Sequence, residues 1–185
     1  MSFKYSQILL IGGNARKAGK TSFIRNILKK FSDVHPITAM KVALYTDSKD
    51  LQSHYQLEEH EFYYEVEDIK GSDDNDSSRY VAAGAMEGWF VAAMDDEKSI
   101  KKLMKRIDFL LEAGRLLIIE SNSIRKYIDP SLFLMINQSS REDKAGAEEF
   151  RQMSDLVIDT DSYQYNNIEK YIGIESNKWV FKIDN

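Results

Sequence analysis

The sequence predicts an α/β fold, a three-layer sandwich in which helices cover both faces of a mainly parallel sheet. Two observations carry that expectation. Short aliphatic runs alternate with segments of helical periodicity, the pattern of strand–helix–strand crossover units. And residues 8–22 read Ile-Leu-Leu-Ile-Gly-Gly-Asn-Ala-Arg-Lys-Ala-Gly-Lys-Thr-Ser, a buried-strand run that breaks into glycine and leads straight into helical spacing. Folds of this class bind ligands at the carboxyl ends of their strands, so the strand ends are where functional residues are sought.

In chain order, residues 8–11 form the first strand and residues 23–31 a helix, with apolar side chains recurring on one face. Residues 37–45, opened by Pro36, read as the second strand. An acidic stretch at 46–76 follows, with a short edge strand at 61–67 and turn chemistry at 71–75. A helix over 77–86 leads into a strand at 88–93. Residues 96–113 form an amphipathic helix, with Ile100, Leu103, Met104, Ile107, Leu110 and Leu111 on one face and Gly114 at its end. Strands at 115–120 and 132–136 come next, then a helix capped by Ser139 or Ser140, then a strand at 156–159. The tail at 178–183 adds an edge strand. No repeat, linker or second domain is visible, so residues 1–185 read as one domain with an acidic insertion at about 46–76.

Strand, glycine-bearing loop, Gly19-Lys20-Thr21, helix is the order that a phosphate-binding loop requires. Loop and first helical turn aim unpaired N–H groups at one point, where the helix dipole also favours an anion. Lys20 then reaches the terminal phosphates and serves catalysis, while the Thr21 hydroxyl ligates Mg²⁺. The nucleotide-binding residues are Gly13, Asn14, Ala15, Arg16, Lys17, Ala18, Gly19, Lys20, Thr21 and Ser22. The usual spacing would put a glycine at position 14, where the chain has Asn14; counted from Gly13, five residues intervene. Asparagine tolerates a left-handed backbone more readily than most residues. The longer loop resembles that of the dethiobiotin synthetase and cobyric acid synthase relatives of the P-loop class. The resemblance implies a P-loop NTPase fold.

The strand at 115–120 delivers Glu120, and a carboxylate at the end of an aliphatic strand is costly unless something satisfies it. Downstream of a phosphate loop, that partner is Mg²⁺ or a water to be activated, which makes Glu120 a metal-site and catalytic candidate. The competing role is capping the following turn. The strand at 132–136 delivers Asn137-Gln138-Ser139-Ser140, where many GTPases carry Asn-Lys-x-Asp. Gln138 and Ser140 stand at the lysine and aspartate positions, so the guanine signature is absent. Asn137 is placed to touch a base edge, and GTP and ATP both stay open.

Asp76-Ser77-Ser78-Arg79-Tyr80-Val81-Ala82-Ala83-Gly84-Ala85, followed by the strand ending at Ala93, resembles the Asp-Ser-x-Arg-x-x-x-Ala-Gly-Ala segment of the MobB family. These are P-loop accessory proteins of molybdopterin-guanine dinucleotide biosynthesis. The order of phosphate loop, Lys41 on the second strand, this segment and a strand ending in Glu120 also agrees, over roughly two thirds of the chain. The resemblance implies a guanine nucleotide with Mg²⁺, a role in molybdenum cofactor biosynthesis with a protein partner in a maturation pathway, and pairing as a homodimer. The chain departs from the family in having no histidine-rich stretch after its second strand, and in Ser121 where the family has glycine. From the residues themselves, Arg79 either pairs with Asp76, an expected helix cap, or reaches an anion.

Composition narrows the class further. The net charge of −5 conceals eleven acidic residues against two lysines between 46 and 76. That stretch cannot serve as a nucleic-acid surface, and neither nucleic acid nor membrane is an expected partner. There is no cysteine, and His35, His54 and His60 are scattered rather than paired at ligand spacing. No apolar run reaches eighteen residues and no cleavable apolar leader is visible, so the expectation is a soluble, cytoplasmic protein. Three functions fit: a slow Mg²⁺-dependent nucleoside triphosphatase acting as a maturation factor, an ATP-dependent phosphotransferase or ligase of the dethiobiotin synthetase type, or a nucleotide-binding scaffold without turnover.

Overall fold

A computed structural model describes residues 3–182. Its central sheet has seven strands: β1 (Phe3–Gly13), β2 (Ile37–Tyr45), β3 (Tyr63–Asp68), β4 (Gly88–Met94), β5 (Leu116–Glu120), β6 (Ile128–Asn137) and β7 (Leu156–Asp159). They lie in the order β3-β4-β2-β5-β1-β6-β7, and every neighbouring pair is parallel except β3 with β4. The expected α/β class with a mainly parallel sheet and helices on both faces is therefore what the chain adopts.

Each face buries its own core. On one face α1 (Lys20–Phe31) sets Phe23, Ile24, Ile27 and Leu28 against Leu9, Ile11 and Ile118, with Tyr80 of α3 (Asp76–Ala82) beside them. On the other, α4 (Glu97–Glu112) sets Ile100, Leu103, Met104 and Ile107 against Ile8, Leu10, Val91 and Ile119. Alternate residues of β1 and β5 thus feed opposite cores, as the two-residue repeat of a strand requires. Asp96 caps α4 by accepting from the N–H groups of Lys98 and Ser99.

The structure corrects several of the expected elements, β1 among them, which runs from Phe3 to Gly13 and not only over 8–11. α2 (Ser48–Tyr55) lies in the acidic stretch where no helix was expected; it buries only Leu51, so its apolar periodicity is faint. With β3, it gives residues 46–76 regular structure over about half their length. α3 stops at Ala82, and its cap is Asn75, whose side chain accepts from Ser78 N–H; Asp76 is left free to pair elsewhere. β6 begins at Ile128 rather than 132, because Pro130 falls in its first half, where β7 has not yet joined and no partner asks for its missing N–H. No helix starts at Ser139 or Ser140. α5 (Ala147–Gln152) starts after Gly146, whose φ of 76° makes the turn.

The tail does not extend the main sheet. β8 (Ile172–Glu175) and β9 (Lys178–Phe181) form a separate antiparallel hairpin, turned by Ser176 and Asn177, both left-handed. The hairpin follows α6 (Tyr163–Asn166) and drives Trp179, 1% exposed, edge-on against Phe31 of α1. Ile183, counted in the expected strand, lies outside the described residues.

Candidate functional site

β1 ends in Gly12 and Gly13, and the loop to α1 crosses the carboxyl end of the sheet. A β-carbon at Gly13 would fall 2.9 Å from Cδ of Lys20, so only glycine lets that lysine lie across the strand end. At the other end of the loop, Gly19 has φ of 88° and stands as the cap position of α1, with no side chain capping the helix. The N–H groups of Lys20, Thr21 and Ser22 fall in the first turn, where a helix offers no internal acceptors. Tyr165 fixes this corner: its hydroxyl donates to Gly19 O at 2.8 Å, and its ring packs 5.1 Å from that of Phe23.

Within the loop Ala15 and Ala18 are buried, while Arg16 and Lys17 are exposed. The left-handed non-glycine residue is Lys17, at φ 58°, and not Asn14. Asn14 is 1% exposed and fully engaged with protein. Its N–H donates to Ile136 O at 3.0 Å, and its amide donates to Gln138 O at 3.3 Å and to Asp143 Oδ1 at 2.8 Å. Its side-chain oxygen accepts from Gln138 N–H at 3.0 Å. Asn14 therefore clasps the 138–144 segment to the loop.

Glu120 is the hub of the site. It is 5% exposed at the end of β5, opposite Ile11 on one side and Lys41 on the other. Its Oε2 accepts from the Thr21 hydroxyl at 3.0 Å and from the Tyr80 hydroxyl at 2.6 Å. Its Oε1 lies 3.8 Å from Lys20 Nζ and 4.0 Å from Lys41 Nζ. The cost of burying a carboxylate is thus offset by two hydroxyls and two ammonium groups. Burial, and then the charge of Glu120, push the Tyr80 hydroxyl well above its ordinary range, so Tyr80 stays a hydrogen-bond donor.

A second charged cluster adjoins the first. Lys41 pairs with Asp76, and Arg79 reaches the other oxygen of Asp76 at 3.3 Å while donating to Asp73 O. Burial pulls the Lys41 ammonium down, but Glu120 and Asp76 outweigh it and hold its pKa above the usual lysine value. Burial acts on Asp76 in the opposite sense and is likewise outweighed, by Lys41 first, leaving its carboxyl below the usual range. Of the two roles open for Arg79, the pairing with Asp76 is the one formed.

Lys144 escaped the sequence reading. Its N–H donates to Asn14 O at 2.8 Å, which ties it to the loop. Although the residue is exposed overall, loss of hydration around its ammonium, and then the like charge of Lys20, bring its pKa down to about 8. Glu120, 3.8 Å from Lys20, acts on Lys144 in the opposite sense but does not outweigh burial and the charge of Lys20. Asn122 was also missed: it accepts from Gly13 N–H at 2.9 Å and donates to Gly13 O at 3.2 Å, locking the loop to the end of β5. Neither signal was local, since each depends on pairing across more than a hundred residues.

Asn137 stands at the end of β6, donating to Asp159 and accepting from Arg151 at 3.4 Å, so its amide is committed within the protein. Asp143, expected on a helix, instead bonds Asn14 and Arg151. Among the described residues, no group of three or more His, Cys, Asp or Glu side chains is placed to hold a metal ion. The Thr21 and Glu120 oxygens, 3.0 Å apart, fit the more modest demand of Mg²⁺, which takes one or two protein oxygens and fills its shell with phosphate and water. Among the described residues no helix is long and apolar enough to cross a membrane. Compared with protein-family models, curated proteins and solved structures, the chain matches none.

Proposed function

We propose that this chain binds a Mg²⁺-nucleoside triphosphate at residues 13–22 and turns it over slowly, as an accessory factor in cofactor or metalloenzyme maturation resembling the MobB family. One observation carries the reading. Lys20 and Thr21, successive residues in the uncapped first turn of α1, both face Glu120 at the end of the adjacent parallel strand. That arrangement supplies N–H donors, a cation and a hard oxygen pair at one point, the set that a triphosphate needs.

Lys20 and Lys144 would neutralise the terminal phosphates, and Thr21 and Glu120 would hold Mg²⁺. The bound ion would draw charge from the phosphate oxygens. Glu120 is committed to four neighbours, which suits it to fixing charge in place more than to carrying protons, and this supports slow turnover. The base would lie toward the ends of β6 and β7, beside Asn137.

Thermal shift with a panel of Mg²⁺-nucleotides tests the reading. A ligand at about 100 times its dissociation constant stabilises by about 2.7 kcal/mol. GTP or ATP should raise the melting temperature, and inorganic phosphate release should follow slowly. No shift with any triphosphate removes the proposal; a shift without release leaves a nucleotide-binding scaffold.

A specific observation also favours the phosphotransferase reading. A cavity of about 370 Å³ opens beside Lys41, next to the proposed phosphate site, with room for a second small molecule.

A further inference from the structure

The inner face of the sheet changes character as it runs away from β1. One row of paired residues crosses it in the order Ile11, Glu120, Lys41, Phe90 and Val66. The next row on the same face is Ala43, Ala92 and Tyr64. Near β1 this face is sealed by α1 and α3, and Leu9, Ile11 and Ile118 are fully buried. Over β2, β4 and β3 the cover is shared between α3 and α2, which contributes Tyr55. The result is the cavity beside Lys41, walled by Lys41, Tyr55, Tyr64, Asp76, Arg79 and Phe90.

Its two ends differ in chemistry. At one end the Tyr55 ring stacks on Tyr64 at 4.9 Å and 16°, and Phe90 lies 5.6 Å from Tyr55 and 6.3 Å from Tyr64. All three residues are half-buried. The Tyr55 hydroxyl pairs with the Tyr45 hydroxyl at 3.3 Å, and the three half-buried rings line that end of the cavity. At the other end Lys41 and Arg79 share Asp76; Lys41 also faces Glu120 at 4.0 Å and Arg79 faces Asp73 at 4.0 Å. Those two carboxylates are faced in turn by Lys20 and Arg25, so this cluster of four cations and three carboxylates carries a formal charge of +1. No acidic side chain of β3 lines the cavity: Glu65 is bound by Arg106 from α4 at 2.7 Å, and Asp68 is turned onto the Ser77 hydroxyl. Aromatic walls alone would also accept a cation, but the charged end repels one.

We propose that this cavity is a small-molecule site for a planar aromatic ring bearing a single acidic group. The ring stacks among Tyr55, Tyr64 and Phe90, and the acid meets Lys41 and Arg79. The volume lies within the range of small-molecule sites, about 300–1,000 Å³. Because Lys41 also faces Glu120 at 4.0 Å, the acidic group comes to rest beside the proposed phosphate site, where a phosphoryl acceptor would have to lie. Binding itself does not require that the nucleotide reading be right.

The test uses 2-naphthoate as the probe, titrated into the full chain by calorimetry and by saturation-transfer NMR. Binding with a submillimolar dissociation constant is expected, weakened at least about fivefold in Tyr64→Leu and in Phe90→Leu, each checked for folding by circular dichroism. Decahydro-2-naphthoate, which keeps the acid and loses the ring planarity, and naphthalene-2-methanol, which keeps the ring and loses the charge, should each bind at least about fivefold more weakly. If nucleotides fail to bind while naphthoate behaves in this way, the nucleotide reading falls alone. Absence of naphthoate binding at ~5 mM, indifference to both ring substitutions when the variants are folded, or equal binding of the saturated acid would overturn the cavity proposal.

Discussion

The Thr21 hydroxyl donates to Oε2 of Glu120 across 3.0 Å, joining the first turn of α1 to the end of β5. The two residues are ninety-nine positions apart, and only the parallel pairing of β1 with β5 brings them together. The same carboxylate takes the Tyr80 hydroxyl from α3, so one buried group gathers three elements around the strand ends.

Lys20→Ala removes the cation that lies across Gly13 and leaves the loop backbone in place. Triphosphate affinity or turnover should fall at least about tenfold, roughly 1.4 kcal/mol, while circular dichroism stays that of the unaltered chain. Normal binding and hydrolysis by this variant would end the phosphate-loop reading.

Glu120→Gln keeps the shape of the hub and removes its charge. Phosphate release should drop sharply and need more Mg²⁺, while nucleotide binding without metal changes little. The variant should also be less stable, because Lys20 and Lys41 lose their shared counter-charge. Unaltered metal dependence would reduce Glu120 to a structural carboxylate.

Lys144 should make anion binding pH-dependent. In the free protein its pKa is lowered to about 8, so it is charged below that pH and increasingly neutral above it. A bound phosphate favours the charged form, so affinity should fall as pH rises past about 8, accompanied by proton uptake on binding. In Lys144→Met this part of the pH dependence should disappear, measured as the slope of log affinity between pH 7.5 and 9, chosen to bracket that value. The sign for stability is opposite: the lowered folded-state pKa means this lysine's contribution improves as pH rises from about 8 toward the ordinary lysine value.

Hydrogen exchange should divide the acidic stretch rather than treat it as one unit. Amides of β3 that pair with β4 should exchange slowly, as should the N–H of Leu51 in α2. Residues 58–61 and 69–74, outside strand and helix and largely exposed, should exchange fast. Uniformly fast exchange across Tyr63–Asp68 would contradict the β3 pairing.

What the sequence makes legible is what is local or strictly periodic. β2 spans the predicted 37–45, β7 the predicted 156–159, and α4 differs from its expected range by one residue at each end. The candidate site is legible where it follows a strand end in order: Lys20, Thr21 and Glu120 do converge. Asn14 shows the limit. Its residue type suited a left-handed turn, but burial against Gln138 and Asp143 decided its conformation, and Lys17 makes the turn instead. Asp143 shows the same limit, since the helix expected at Ser139 or Ser140 gives way once its carboxylate binds Asn14 and Arg151. The tail failed for another reason: its apolar residues were strand-like, but Ser176 and Asn177 fold them back on β8 before they can reach the main sheet.

The antiparallel strand β3 also bears on whether copies of this chain can join edge to edge. A strand at a sheet border exposes a row of unpaired backbone groups, an open template for another chain. Here that border is six residues long, holds Glu65, Glu67 and Asp68, and is preceded by Glu58, Glu59 and Glu61. Two such borders brought side by side would confront acid with acid, and the repulsion would be strongest at low salt. Border-to-border fibre growth from β3 is thereby discouraged, and a symmetric pair of chains gains more by meeting through some other surface. The excess of acid in this part of the chain acts as a guard against aggregation.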